Sequence, residues 1–200
     1  MDTINPLLFI AALLGVTLWH ELGHWAVARW LCVTVVRVNV GMGPVLWRHT
    51  WWRNSECQAP DLVFRALPLG MSVVVPVAIS NGDTRDGKLR HSRAHDFWIA
   101  AGGPCASFLL TVLFFAAARW LPIPYSWAYA LVGVGILSAA IALLNLLPIP
   151  GLDGGHLLLA GSARMGWQLK RSQESHLQRI GLRLVLFASL LSILYRFWVA

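Results

Sequence analysis

Four long apolar stretches constrain the fold of this chain more than any other feature of its sequence. Each is close to the roughly 20 residues that an α-helix needs to cross a hydrocarbon core of about 30 Å. They cover approximately residues 6–32, 97–118, 126–147 and 180–199. Only 12% of the residues are charged, against about a quarter in a typical water-soluble domain. The sequence therefore predicts a single-domain α-helical integral membrane protein, residues 1–200, with about four transmembrane helices.

The basic residues indicate how these helices are oriented. The formal net charge is +7, which is compatible either with nucleic-acid binding or with basic residues at the cytoplasmic ends of membrane spans. The high mean hydropathy of +0.61 favours the second interpretation, so we expect a lipid bilayer and no nucleic acid as partner. Lys and Arg concentrate in the first and third connections between spans. The positive-inside rule then predicts that both connections are cytoplasmic and that both termini lie outside.

The first connection has the pattern of a small β-sheet. Residues 36–40 alternate between apolar and polar side chains, as a half-buried strand does. A glycine- and proline-containing turn at 41–44 follows. Further strand candidates are residues 45–52, 62–67 and 71–77. We therefore expect a small membrane-associated β-sheet or hairpin over approximately 35–77, after the first helix.

Three ionisable residues interrupt the first apolar stretch: His20, Glu21 and His24. Residues four apart lie on one face of a helix, so both imidazoles can bind one metal ion. Glu21 is then placed to take a proton from a water molecule at the metal. Ionisable side chains inside a membrane are energetically unfavourable and usually functional. This pattern favours a catalytic zinc site over a polar cluster that only satisfies itself.

A catalytic zinc takes three protein ligands and leaves one position open for water. Two ligand patterns of soluble zinc proteases fail here, because the position six residues after His24 is Trp30 and the next acidic residue after Glu21 is Glu56, in a polar loop. Among the nine acidic residues, only Asp153 follows directly from a long apolar stretch. We therefore predict Asp153 as the third ligand of one Zn²⁺ per chain. The alternative is that Asp153 caps the helix that follows it.

At these residues the chain resembles the site-2 protease family of intramembrane zinc metalloproteases, peptidase family M50. His20 to His24 matches the first motif of that family, and Asn145 to Gly154 matches its Asn-x-x-Pro-x-Pro-x-Leu-Asp-Gly motif. Gly103-Pro104 resembles a weaker family element. Pro68-Leu69-Gly70 resembles the β segment that follows the first motif, although the family often continues with Gly-Tyr where this chain has Met71-Ser72.

The resemblance implies a minimal member of the family without PDZ or CBS domains, in a prokaryotic cell (inner) membrane, with its active site toward the cytoplasmic side. The implied reaction is hydrolysis of a peptide bond within or near the transmembrane helix of a membrane-tethered regulator, such as an anti-sigma factor. Pro68, Leu69, Gly70 and Asn145 become candidate substrate contacts, with an amide that is satisfied between helices as the open alternative for Asn145. For His156, a role beside a ligand or at the helix start is favoured over metal binding. Two alternatives stay open: a membrane protein that binds or transports zinc, and an inactive relative that binds transmembrane partners without cutting them.

Overall fold

The computed structural model describes residues 6–33, 35, 37–50, 61–74 and 93–167, with 169, 173–174, 176–181, 183–184, 187 and 191. In chain order the elements are α1 (Pro6–Trp30), β1 (Arg37–His49), β2 (Asp61–Val74), α2 (Arg93–Trp120), α3 (Tyr125–Asn145) and α4 (Asp153–Arg164). The described residues from 173 to 191 are also helical.

Three of these helices are long and apolar enough to cross a membrane: Leu7–Trp30, Ala94–Trp120 and Tyr125–Asn145. They coincide with the first three predicted spans, and the predicted helical membrane architecture is confirmed. Helix α2 begins before the predicted position 97, because the polar residues from Arg93 to Asp96 form its first turn. The fourth predicted span, 180–199, lies largely outside the described residues and stays a prediction.

Helix α1 has its two histidines on the buried face and large apolar side chains on the outward face. Val16, His20, His24 and Ala28 recur every four residues, and they are 2%, 3%, 7% and 0% exposed. The outward face carries large apolar side chains that remain exposed, such as Leu18. A helix that is apolar on its outer face and polar toward its neighbours is the arrangement expected in lipid.

Helices α1 and α2 run antiparallel and touch through their backbones. Trp19 Nε1 donates to the carbonyl of Ala106 at 2.8 Å, whereas His24 further along α1 contacts the carbonyl of Ile99 earlier in α2. A Cβ built on Gly102 would lie 2.6 Å from the carbonyl oxygen of Gly23. Only glycine permits such an approach, and small residues are common where membrane helices cross closely.

Helix α3 packs on α2, again antiparallel. Ser138 Oγ donates to the carbonyl of Ser107 at 2.9 Å, and Thr111 Oγ1 donates to the carbonyl of Gly135 at 3.1 Å. Ser107, Thr111 and Ser138 are all buried. Hydrogen bonds between helices satisfy polar groups that lipid cannot.

The two strands form one sheet in which each strand is bent and pairs twice. The segment of β1 from Arg37 to Val40 pairs on one side with Asp61 to Phe64, in the same direction. On its other side it pairs with Val74 back to Met71, in the opposite direction. Further along β1, the residues from Val45 to His49 pair with β2 in the opposite direction, from Arg65 back to Leu62. Gly41, with φ of 89°, lies where β1 bends, since glycine adopts this backbone conformation without strain. The predicted small sheet after the first helix is confirmed.

The sheet is attached to the helix bundle by a small apolar cluster. Ala28 of α1, Ile99 of α2, and Val33 and Val35 of the connection are buried against one another, and Val38 of β1 packs against them. Because Ile99 also contacts His24 through its carbonyl, this cluster places the sheet next to the polar interior of α1.

Candidate metal centre

Three side chains from distant parts of the chain meet between α1 and the start of α4. Nε2 of His20 lies 2.9 Å from Oδ2 of Asp153, and Nε2 of His24 lies 3.3 Å from the same oxygen. The two Nε2 atoms are 3.3 Å apart. The structure thus brings together the three residues that the sequence analysis selected as metal ligands, and together they could hold one metal ion.

The three donor atoms fit zinc in type and in spacing. Two imidazole nitrogens and one carboxylate oxygen form a set that Zn²⁺ accepts in catalytic sites. With metal–ligand distances of about 2.0–2.2 Å, a tetrahedral site separates its ligand atoms by about 3.4 Å. The three observed separations of 2.9, 3.3 and 3.3 Å are close to this value. A small outward movement of Asp153 would therefore complete the fit.

Each imidazole ring is also held through Nδ1, the nitrogen that does not contact Asp153. Nδ1 of His20 lies 2.9 Å from Oγ of Ser107, and Nδ1 of His24 lies 2.6 Å from the carbonyl oxygen of Ile99. An imidazole that binds a metal through Nε2 carries its proton on Nδ1 and donates it to such an acceptor. The orientation of both rings is therefore the one that metal binding requires.

Helix α2 leaves room for the two rings through Gly103. A Cβ built on this residue would lie 2.5 Å from Nε2 of His20 and closer still to Nε2 of His24. The next residue is Pro104, inside the helix, which has no N–H group to continue the helical hydrogen bonds. The Gly103-Pro104 pair thus forms the wall of α2 against which the centre is built.

The turn between α3 and α4 delivers Asp153 to this site. Helix α3 ends at Asn145, before Pro148 and Pro150, which cannot continue helical hydrogen bonding. Gly151 has φ of 97°, a conformation that L-residues rarely adopt. Within the turn, the N–H of Leu152 donates to the carbonyl of Ile149 at 3.1 Å. The prolines and Gly151 together end α3 and lead the chain into α4.

Two further glycines let this turn pack closely on α4. A Cβ on Gly155 would lie 2.8 Å from the carbonyl carbon of Ile149 and 2.9 Å from Cα of Pro150. A Cβ on Gly154 would meet the carbonyls of Leu146 and Leu147 in the same way. The Gly154-Gly155 pair after Asp153 therefore fixes the first turn of α4 against the turn that precedes it.

Asp153 does not act as the helix cap that the sequence left open. The N-cap of α4 is Leu152, with extended backbone, and Asp153 is the first helical residue. Its carboxylate contacts the two histidines instead. A carboxylate in the first turn is also stabilised by the positive end of the helix dipole.

The remaining predicted residues lie on α1, α3 and β2. Glu21 follows His20 on α1 and is half-buried. Asn145 is half-buried at the end of α3, where its Nδ2 donates to the carbonyl of Ile141 at 3.1 Å. Pro68, Leu69 and Gly70 lie within β2.

His156 lies one turn after Asp153 and points toward the C-terminal part of the chain. Nε2 of Gln178 lies 3.1 Å from its Nδ1. The ligand group that the described residues form does not include His156.

Sequence reasoning missed Ser107 and the carbonyl of Ile99, and it noted Gly103 only as part of a family element. One signal was present: Gly103, Ser107 and Thr111 are small residues spaced four apart, which places them on one face of α2. That pattern indicates a closely packed face, but not which helix packs on it.

Comparison with known proteins agrees with this geometry. The family model of peptidase family M50 matches residues 8–124 and 123–188. One relative is a protein of Ralstonia nicotianae that is named as a zinc metalloprotease. It is 32% identical over an alignment of 128 residues, which covers 59% of this chain and 27% of that protein. The regulator of sigma-E protease RseP of Escherichia coli is 33% identical over 119 residues, 56% of this chain and 24% of that protein.

A solved structure, the site-2 protease from Methanocaldococcus jannaschii, has the same fold. It superposes with a TM-score of 0.56 at 20% sequence identity, covering 98% of this chain and 72% of that chain. The chain spans about a quarter of the length of the curated relatives named above. The family model nevertheless covers most of the chain, including His20, Glu21, His24 and Asp153. The chain therefore belongs to peptidase family M50.

Proposed function

We propose that this chain is an intramembrane zinc metalloprotease that cleaves a peptide bond within or near the transmembrane helix of a membrane-tethered regulator. One observation carries the proposal: His20, His24 and Asp153 converge on one point, with Glu21 beside them, in a helix able to span a membrane. Family membership supports the same chemistry. The name of the relative from Escherichia coli, a regulator of sigma-E protease, supports a role of the cleavage in regulation.

The proposed chemistry follows from the three ligand residues and from Glu21, which is next to His20 in the chain. A zinc ion bound by His20, His24 and Asp153 would supply a Lewis acid that activates water and polarises a carbonyl group. Glu21 accepts the proton of the attacking water and returns it to the nitrogen of the leaving amine. The packed helices around the centre keep bulk water away from these groups, which strengthens their electrostatic interactions.

A transmembrane helix hides its peptide bonds in hydrogen bonds, so the substrate must unwind locally before attack. The sheet next to the centre offers extended backbone for this purpose, because an unwound segment can pair with a strand edge. Pro68, Leu69 and Gly70 lie between Leu67, which pairs with Met42, and Met71, which pairs with Val40. We place the substrate along this part of β2.

Asn145, at the end of α3, is a second candidate for a substrate contact. One N–H of its amide donates back to Ile141 within α3. A substrate backbone N–H would therefore be bound by the carbonyl oxygen of the Asn145 amide. Asn145→Ala should raise the KM for the substrate, whereas its zinc content should stay close to that of wild type.

The depth of the centre fits an active site toward one face of the membrane. His24 and His20 lie 6 and 10 residues before Trp30, the last residue of α1, which corresponds to about 9 and 15 Å along the helix. This end of α1 carries Arg29 and leads into the sheet. By the positive-inside rule it is the cytoplasmic end, with the N-terminus outside.

The experiment that tests the proposal is cleavage of a model transmembrane substrate by the purified chain in proteoliposomes. Wild type should cleave the substrate and contain about one zinc per chain. Glu21→Gln should keep the zinc and lose cleavage, because the carboxamide cannot accept the proton. Glu174→Gln, a matched change outside the centre, should cleave like wild type.

Cleavage by Glu21→Gln at the wild-type rate would refute the mechanism. The same proteoliposomes distinguish the transport alternative. Zinc flux across the bilayer without any cleavage would identify a transporter, whereas zinc binding without flux or cleavage would identify an inactive relative.

A further inference from the structure

We propose that Ser107 is a positioning residue of the metal centre, which fixes the ring of His20 so that Nε2 faces the metal. The hydroxyl oxygen of Ser107 lies 2.9 Å from Nδ1 of His20. Ser107 is 0% exposed and lies on α2, far from His20 in the sequence. The inference rests on the proposed function, because it takes zinc as the group that the centre binds.

The role follows from the two nitrogens of one imidazole ring. Nε2 of His20 is turned toward Asp153 and toward Nε2 of His24, at 2.9 and 3.3 Å. Metal binding at Nε2 requires a neutral ring with its proton on Nδ1, and this N–H needs an acceptor. The buried Ser107 hydroxyl supplies that acceptor. Without it the ring can rotate or adopt the other tautomer, in which Nε2 carries the proton and cannot bind the metal.

Ser107 is itself held from two sides. Its carbonyl accepts hydrogen bonds from Oγ of Ser138 on α3 and from Oγ1 of Thr111 one turn later on α2, each at 2.9 Å. Both bonds are to the main-chain carbonyl of Ser107, so neither involves the hydroxyl that faces His20. The second histidine is held by main chain instead, since Nδ1 of His24 contacts the carbonyl of Ile99. A side-chain substitution can therefore release the ring of His20 without touching that of His24.

The chain offers a matched control in Ser138. It is also a serine, it is also 0% exposed, and its hydroxyl also makes a hydrogen bond of 2.9 Å. That bond joins α3 to the backbone of α2. Ser138→Ala therefore removes a buried hydroxyl and a helix–helix hydrogen bond, as Ser107→Ala does, but it leaves the side-chain acceptor of His20 in place.

The test measures zinc affinity of the full chain in detergent by competition with a chelator, in the absence of substrate. Ser107→Ala should bind zinc about 10- to 100-fold more weakly than wild type, the usual effect of losing a partner of a ligating histidine. Ser138→Ala should stay within about threefold of wild type, even if its thermal midpoint falls. With Co²⁺ in place of zinc, the visible spectrum of Ser107→Ala should change and that of Ser138→Ala should not.

A second pair of variants decides the question if Ser107→Ala does not fold. Ser107→Thr and Ser107→Val have nearly the same shape and differ in the hydroxyl. The threonine variant should bind zinc at least about tenfold more tightly than the valine variant, since only threonine offers His20 an acceptor.

Equal zinc affinities for wild type and Ser107→Ala, or equal affinities for the threonine and valine variants, would overturn the inference. A loss in Ser138→Ala as large as that in Ser107→Ala would also overturn it, because the effect would then be one of packing. The proposed function fails separately: in that case wild type would bind zinc, and the Ser107 variants would lower its affinity as expected, but wild type would not cleave the model substrate.

Discussion

Gly103→Ala is the change for which the structure gives the clearest expected loss. The new methyl group would lie 2.5 Å from Nε2 of His20 and still closer to Nε2 of His24. Ordinary contact begins at about 3.4 Å, so at least one ring or the α2 backbone must move by roughly 1 Å. Metal–ligand distances in zinc sites lie within about 0.2 Å of their usual values, so a displacement of this size takes at least one ring out of bonding distance. We therefore expect the zinc affinity to fall by more than about 100-fold.

The assay is zinc competition on purified Gly103→Ala, with Gly133→Ala as the matched control. A Cβ on Gly133, in the middle of α3, has nothing within 4 Å, so this variant should bind zinc like wild type. In a helix, alanine is favoured over glycine by about 1 kcal/mol. A change in helix propensity therefore cannot explain a loss of zinc affinity in Gly103→Ala. Wild-type zinc affinity in Gly103→Ala would refute the claim that this wall of α2 limits the site.

Two further predictions concern the turn and the metal. Gly151→Ala should lower the free energy of unfolding by about 1–2 kcal/mol, because residue 151 has φ of 97°. The control Gly161→Ala, at a helical position with nothing within 4 Å of a built Cβ, should not lower it. An unchanged thermal midpoint for Gly151→Ala would contradict this account of the turn. Removal of zinc by a chelator should lower the thermal midpoint reversibly, because zinc at 100 times its dissociation constant stabilises the fold by about 2.7 kcal/mol. Identical melting curves with and without zinc would show that the folded state does not bind it.

The sequence predicted those features of the fold that depend on residues close to one another in the chain. The length and hydropathy of the first three apolar stretches predicted three membrane helices, which the structure contains. The spacing of His20 and His24 predicted one shared face, because that spacing is a property of the helix itself. Asp153 could be selected because a carboxylate directly after an apolar stretch and a proline-rich break is rare.

The contacts that complete the centre could not be predicted in this way. Ser107, Gly103 and the carbonyl of Ile99 matter because α2 crosses α1 at Gly23 and Gly102, in one particular register. Such a crossing is set by the packing of two surfaces, which the sequence of either helix alone does not specify.

The sheet was predictable in part for a similar reason. Alternation of apolar and polar residues indicated the strands. The double pairing of Arg37 to Val40, with Asp61–Phe64 on one side and Met71–Val74 on the other, is a non-local arrangement. The turns that bend β1 and β2 allow it but do not require it.

The central claim is that α1 and the start of α4 bind one zinc ion through His20, His24 and Asp153. X-ray absorption at the zinc edge, on purified wild type and on Asp153→Ala, tests it most directly. We predict about one zinc per chain in wild type, with two imidazole ligands and otherwise oxygen, and a loss of zinc in Asp153→Ala. A sulfur ligand at about 2.3 Å, or an Asp153→Ala spectrum identical to that of wild type, would contradict the account.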